Sequence, residues 1–276
     1  MHRHLLLVGL LLLVGGCTRG RPREVSRAPS VTGAVSEDEF KALHTLNPQA
    51  PPPARGEEVE VAGTKAYLSL PEDARAPLPA VIVIHEWWGL NAHIRHWADR
   101  LAANGYAALA VDLYGGKVAT TRDEALALLK RVDPERATQV LKAANAFLRE
   151  DARVKAPRTA SLGWCFGGGW SLRAGMAIPE LDAVVMYYGN PVTDPEALAS
   201  IRAPVLAIFG TRDASIPPET VRAFRQALDD AGVRHRIVEL DAEHAFANPS
   251  GERYDAGAAA MAWAETALFL EHHLRR

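Results

Sequence analysis

The sequence predicts a three-layer α/β fold with a mainly parallel central sheet, and three observations carry that expectation. Short unbroken apolar runs recur along the chain, segments of helical period separate them, and 276 residues that are 48% hydrophobic suffice for one large core. Unbroken apolar runs suit strands covered on both faces, because neither side of such a strand meets water. Strand and helix in alternation then place helices on both faces of one sheet.

Taken in order, the chain opens on a short basic stretch, Met1 to His4, followed by the apolar run Leu5 to Val14. A run of that length suits the core of a secretory signal and is too short to span a bilayer. Leu13-Val14-Gly15-Gly16-Cys17 resembles a bacterial lipobox, in which small residues precede a cysteine that is acylated and becomes the new N-terminus. The resemblance implies a signal peptide over residues 1–16, a lipidated Pro-rich tether over 17–55 and a folded domain over 56–276. The tether ends on Pro51-Pro52-Pro53, a stiff extended segment, and a short helix interrupts it around Glu37 to Leu46. Two or more acyl chains anchor stably, so a membrane surface is an expected partner and the cell envelope the expected location. Thr18 stands where an aspartate would favour retention in the inner membrane, which points to the outer one.

Beyond the tether, Glu57 to Leu70 alternates loosely and predicts one or two antiparallel edge strands ending at Pro71. Central strands are expected at Ala80 to Ile84, Ala107 to Val111, Thr159 to Leu162, Ala183 to Tyr187, Val205 to Phe209 and Arg236 to Leu240. Between them, Ile94, Trp97, Ala98 and Leu101 fall at helical spacing, with Asn91 as N-cap and Gly105 as the stop. Further helices are expected around Ala137 to Leu148, over Pro218 to Ala231 and over Tyr254 to Leu274. The one long stretch without a strand, Thr120 to Pro157, reads as helical.

A net charge of −2 gives no field to hold a polyanion, so nucleic acid is not an expected partner. The chain has two cysteines, and acylation of Cys17 leaves Cys165 without a disulfide partner. A lone thiol there needs another explanation, and its neighbours supply one. Gly163-Trp164-Cys165-Phe166-Gly167 follows a predicted strand and precedes a predicted helix, the pattern of a nucleophile elbow with sulfur in place of oxygen. Unpaired N–H groups at the start of the next helix would favour a thiolate or an oxyanion. Asp213 and His244 each follow a later strand, in the order nucleophile, acid, base. His244 then suits the role of general base, with Asp213 fixing its tautomer. Asp241 and Glu243 lie too close to His244 in sequence to serve as that acid, and read as solvated loop carboxylates.

These motifs together resemble the dienelactone hydrolase family. His85-Glu86-Trp87-Trp88-Gly89-Leu90, Asp112-Leu113-Tyr114, the elbow, Asp213 and His244-Ala245-Phe246 stand in the family's order over roughly Glu57 to Leu274. The resemblance implies a three-layer α/β-hydrolase fold with a mainly parallel central sheet, with Cys165 as nucleophile, Asp213 as acid and His244 as base. It further implies that Glu86 contacts the nucleophile and that the backbone N–H groups of Trp87 and Phe166 form the oxyanion hole. A carboxylate directly after an apolar strand is costly without a partner, so Glu86 draws notice on physical grounds as well.

The family's dienelactone-cleaving members hold a substrate carboxylate with two arginines, one just after the Asp-Leu-Tyr motif and one shortly after the histidine. Here those places read Gly115-Gly116-Lys117 and Ala247-Asn248-Pro249, so Lys117 is the one cation left nearby. The expected substrate is therefore another ester or lactone, cleaved through an acyl-enzyme. The alternatives are a binding lipoprotein that kept the fold without turnover, or an acyltransferase to an acceptor other than water. No cofactor is expected. No metal is expected either, because His85 and His93 are eight residues apart and do not frame Glu86 as a zinc-binding helix would. A monomer is expected.

Overall fold

Residues 32–46 and 53–275, together with Met1, are described by a computed structural model. The expected signal peptide over residues 1–16, Met1 apart, and the expected acylation site at Cys17 fall outside those residues. Among the described residues, no helix is long and apolar enough to cross a membrane.

Eight strands form one sheet: β1 Glu57–Val61, β2 Thr64–Ser69, β3 Ala80–Ile84, β4 Ala107–Val111, β5 Thr159–Trp164, β6 Ala183–Tyr187, β7 Val205–Gly210 and β8 His235–Leu240. Their order is β1-β2-β4-β3-β5-β6-β7-β8. The first two form an antiparallel hairpin, β2 runs antiparallel to β4, and the pairs from β4 onward are parallel. Every residue of β3, β4, β5, β6 and β7 is buried, which is why all but β5 appear in the sequence as unbroken apolar runs; β5 also buries Thr159 and Ser161, whose hydroxyls donate to Asn145 Oδ1 and Ser171 O.

The helices are α1 Glu37–Ala42, α2 Ala92–Ala103, α3 Arg122–Lys130, α4 Pro134–Glu150, α5 Phe166–Ala177, α6 Pro195–Leu198, α7 Pro218–Asp230 and α8 Ala256–Leu274. Alternate strand residues feed two cores. Val81 and Val83 face the layer of α2 and α8, while Ala80, Ile82 and Ile84 face the layer of α4, α5 and α7. Asn91 caps α2, its side chain accepting from the Ile94 N–H at 3.1 Å. The last helix starts at Ala256, two residues after the expected Tyr254, because Asp255 serves as its cap. The stretch from Thr120 to Pro157 holds α3 and α4, which Thr121 and Asp133 cap.

The described part of the expected tether packs on the domain rather than trailing from it. A Ser36–Glu39 capping box starts α1, which ends at Ala42 and buries Phe40. Backbone pairs tie the segment down at both ends: Ala34 N–H donates to Ser215 O at 2.8 Å and Glu252 N–H to Thr45 O at 3.0 Å. The folded unit therefore begins by residue 32, ahead of the boundary at 56. Composition read the segment as a linker, and buried Phe40 and His44 make it part of the core.

Strand order fixes where a site can form. The order reverses between β3 and β5, so the loops leaving their carboxyl ends diverge and open a crevice. Ile84 pairs with Gly163, which sets Glu86 and Cys165 side by side, each two residues further on.

Candidate active site

Cys165 occupies the bend between β5 and α5 with φ +52° and ψ −117°, a conformation that L side chains rarely adopt. Holding a non-glycine residue there costs on the order of 1–3 kcal/mol, and tight packing around it keeps it in place. A Cβ at Gly163 would lie 2.1 Å from Gly167 O, and one at Gly167 would lie 2.2 Å from Ile84 O. Both positions must be glycine for the bend to sit so close to β3. The Cys165 N–H donates to Tyr187 O at 3.0 Å and locks the turn to the neighbouring strand.

The sulfur meets the imidazole that the sequence assigned to it. His244 Nε2 lies 3.4 Å from Cys165 Sγ, and His244 Nδ1 lies 2.6 Å from Asp213 Oδ2. All three side chains are buried. Asp213 Oδ1 is held separately, accepting from the N–H groups of Ser215 at 2.8 Å and Ile216 at 2.9 Å. Burial works against charge on His244, yet the Asp213 carboxylate and the Cys165 sulfur outweigh it and raise the imidazole well above its ordinary range. Burial pushes the Cys165 thiol up, against the pull of His244 and of the Phe166 N–H. Asp241 and Glu243 are exposed and pair with Arg212 and Arg253.

Glu86 follows β3 and is buried, but its partners differ from the expected ones. Its Oε1 accepts from Tyr188 Oη at 3.3 Å, and its Oε2 accepts from Asn248 Nδ2. Cys165 Sγ faces the imidazoles of His44 and His244 instead, so Glu86 acts on the thiol through its field, which raises the thiol further. Burial lifts the Glu86 carboxyl to about 7, against the opposing pull of His244. The Asn248 orientation is fixed by its neighbour, since Asn248 Oδ1 accepts from the Ser250 N–H at 2.8 Å. Trp87 lies in the loop after β3 and Phe166 at the first turn of α5, the two places from which oxyanion donors would come.

His44 is the residue that sequence reasoning missed. Its Nε2 lies 3.5 Å from Cys165 Sγ, while its Nδ1 donates to Phe40 O at 2.8 Å. Its ring stands 4.4 Å from that of Trp87 and 5.1 Å from that of His244. Burial first, then the neighbouring His244, keeps it neutral. His85, by contrast, is structural: it accepts from the Leu113 N–H at 3.1 Å and so joins the loops after β3 and β4.

A cavity of about 200 Å³ opens beside Cys165 and His244, with Phe166, Trp170, Arg173 and Tyr188 in its wall and Phe40 closing one side. Lys117 lines a different, exposed groove, so it does not substitute for the missing arginines. The cation in this wall is Arg173, anchored on Gly169 O at 3.0 Å and packed against Trp170.

A parallel sheet with an elbow at its reversal point and an acid and a histidine on later strand ends defines a hydrolase of the α/β class. Its family is shown as well: residues 64–274 match the dienelactone hydrolase family, and the chain belongs to it. "Protein usf" of Aquifex pyrophilus is 33% identical over 205 residues, covering 71% of this chain and 89% of that protein. A Synechocystis sp. protein whose name carries the word carboxymethylenebutenolidase is 30% identical over 240 residues, covering 79% of this chain and 94% of that protein. Among solved structures, one named "m3DLH" superposes with a TM-score of 0.73 at 27% identity, covering 80% of this chain and 98% of that one.

Proposed function

We propose that this chain hydrolyses a carboxylic ester or lactone through an acyl-enzyme on Cys165. The observation that carries the reading is the contact chain Asp213 Oδ2–His244 Nδ1 at 2.6 Å and His244 Nε2–Cys165 Sγ at 3.4 Å, built at an elbow bend. The Cys165 proton passes to His244 Nε2, and the thiolate attacks the substrate carbonyl. The N–H groups of Phe166 and Trp87 receive the charge that moves onto the carbonyl oxygen. Collapse breaks the carbon–oxygen bond, and the alkoxide takes the proton back from His244, leaving a thioester. His244 then accepts a proton from water; the resulting hydroxide displaces the thiolate, and the acid departs.

The relative named for carboxymethylenebutenolidase supports a lactone among the substrates. The missing arginine pair argues for an acid component of different shape, met by Arg173 in the cavity wall.

The test is hydrolysis of short p-nitrophenyl esters and simple lactones by the purified chain and its Cys165→Ala variant, with mass spectrometry after acid quench. Loss of turnover together with an acyl mass adduct on the parent chain is the expected result. Turnover that survives Cys165→Ala unchanged would overturn the assignment.

Anchoring is part of the same proposal. Leu13-Val14-Gly15-Gly16-Cys17 supports acylation of Cys17, which would leave the 14 residues of 18–31 between the lipid and the first residue packed on the domain. Such a length reaches about 50 Å at most, so the cavity would work close to the bilayer of a cell envelope. Labelled palmitate entering the chain, and lost on Cys17→Ala, is the result to expect.

A further inference from the structure

The geometry points to a second use of the same sulfur: His44, Cys165 and His244 form a binding site for a zinc-type divalent cation that shuts off turnover. This goes beyond the hydrolytic reading, which needs neither His44 nor a metal. Three buried donor atoms, His44 Nε2, His244 Nε2 and Cys165 Sγ, lie within 4.8 Å of one another. With Zn–S near 2.3 Å and Zn–N near 2.0–2.1 Å, a tetrahedral ion holds its sulfur and nitrogen ligands about 3.6 Å apart. The two sulfur–nitrogen separations here are 3.5 and 3.4 Å.

Ring orientation is the independent observation. A ligating imidazole needs a bare lone pair on the metal side and an N–H committed to an acceptor on the other. His44 meets that demand through Phe40 O at 2.8 Å, and His244 through Asp213 Oδ2 at 2.6 Å. Each histidine therefore turns Nε2 toward the sulfur from a direction fixed by its own anchor. One base suffices to deprotonate a thiol, so the triad leaves the second unexplained. Two neutral imidazoles and a thiolate favour zinc over calcium or magnesium, which take oxygen ligands. Cys165 and His244 line the cavity, giving an ion access and water a fourth position.

Binding replaces the S–H proton of Cys165 with the metal and releases that proton to solvent. The sulfur lone pair then serves the metal and is withheld from a carbonyl. His44 belongs to the segment of residues 32–46, so the inhibitory site is complete only while that segment is docked.

The test uses the full chain, freed of metal with a chelator and titrated with Co²⁺ as a spectroscopic stand-in. A near-ultraviolet thiolate-to-cobalt band and intense visible bands, saturating at one ion per chain, are expected. Zn²⁺ should displace the cobalt. His44→Ala should weaken binding roughly 100-fold or more, with circular dichroism checking that the fold is kept. His44→Cys should restore binding and strengthen the charge-transfer band, which a merely structural role for His44 would not do. The proposal falls if cobalt produces no charge-transfer band, or if His44→Ala binds as tightly as the parent. Because the readout is a spectrum, it stands whether or not the hydrolytic reading does.

Discussion

Asp213 holds His244 through one carboxylate oxygen at 2.6 Å, while its other oxygen accepts two backbone N–H groups at 2.8 and 2.9 Å. The carboxylate therefore cannot turn, and the N–H of His244 Nδ1 has one acceptor in one direction. Asp213→Asn preserves the shape but presents an amide, which can donate to Nδ1 and select the tautomer that puts the proton on Nε2. That tautomer cannot take the thiol proton. We expect kcat to fall about 10³- to 10⁴-fold with KM little changed, measured on a p-nitrophenyl ester. An equal rise in KM alone would mean that Asp213 shapes the pocket rather than the base.

Glu86 ties stability to pH. Its carboxyl is raised from 4.5 to about 7, chiefly by burial, with His244, Tyr188 and Asn248 opposing. Below pH 4.5 the group is protonated in both folded and unfolded chains, and its protonation then imposes no penalty. As pH rises, the unfolded chain ionises first while the fold keeps its proton, so stability is lost up to and through about pH 7. The full effect is about 3 kcal/mol. Glu86→Gln removes this dependence. The expected outcome is a difference in melting temperature between variant and parent that shifts in the variant's favour from pH 4.5 to 8, read by calorimetry. A difference that stays constant over that range would show that Glu86 is ionised in the fold throughout.

The sheet and the positions of Cys165, Asp213 and His244 at the ends of its strands were legible because their causes are local. A strand buried on both faces must be apolar wherever a side chain finds no hydrogen-bonding partner, and an elbow must carry glycine on both sides of its nucleophile. The loops after β7 and β8 announce Asp213 and His244 in the same way. Tyr188, Asn248 and His44 were not legible, since each acts through a partner far along the chain: His44 meets Cys165 across 121 residues, Tyr188 meets Glu86 across 102, and Asn248 meets Glu86 across 162. A signal for His44 did exist. Ser36 and Glu39 form a capping pair, and Phe40 and His44 follow at a spacing of four, which puts two rings on one helical face. The surrounding prolines made that face look like part of a linker.

Gly167 tests how closely the elbow sits against β3. A methyl group there would lie 2.2 Å from Ile84 O and 2.5 Å from His85 O, and both obstacles are backbone. Gly167→Ala should lower stability by roughly 1–3 kcal/mol or more and move Cys165 relative to His244. Urea unfolding and the rate of thiol alkylation would report the two effects separately. An unchanged midpoint with an unchanged alkylation rate would show that β3 can shift aside.

Arg173 tests substrate charge. It is the guanidinium in the cavity wall, held by Gly169 O at 3.0 Å and lying against Trp170. A carboxylate-bearing ester would gain a charge-assisted contact from it, of about 1.5–3 kcal/mol. Arg173→Gln should therefore raise KM some 10- to 100-fold for an ester carrying a free carboxylate and leave a neutral ester of equal size nearly unaffected. Equal losses on both esters would assign Arg173 to packing.

Phe40 tests whether the N-terminal segment belongs to the working site. It is 3% exposed, meets Trp87 edge-on at 5.3 Å and lies 6.0 Å from the His244 ring, so it covers that imidazole directly. Its backbone oxygen also anchors His44 Nδ1. Truncation to Ala removes a buried ring, a loss of about 3 kcal/mol or more. That loss falls on a six-residue helix with no other buried hydrophobic side chain. Local release is therefore expected before global unfolding. In Phe40→Ala, limited proteolysis should cut within residues 32–46 much faster than in the parent, while the domain from β1 onward survives. Water would then reach His244 and the thiol, so alkylation of Cys165 should accelerate in step with cleavage. If the segment is cut no faster and the thiol is no more reactive, residues 32–46 are held by their backbone pairs alone, and Phe40 is not what closes the cavity.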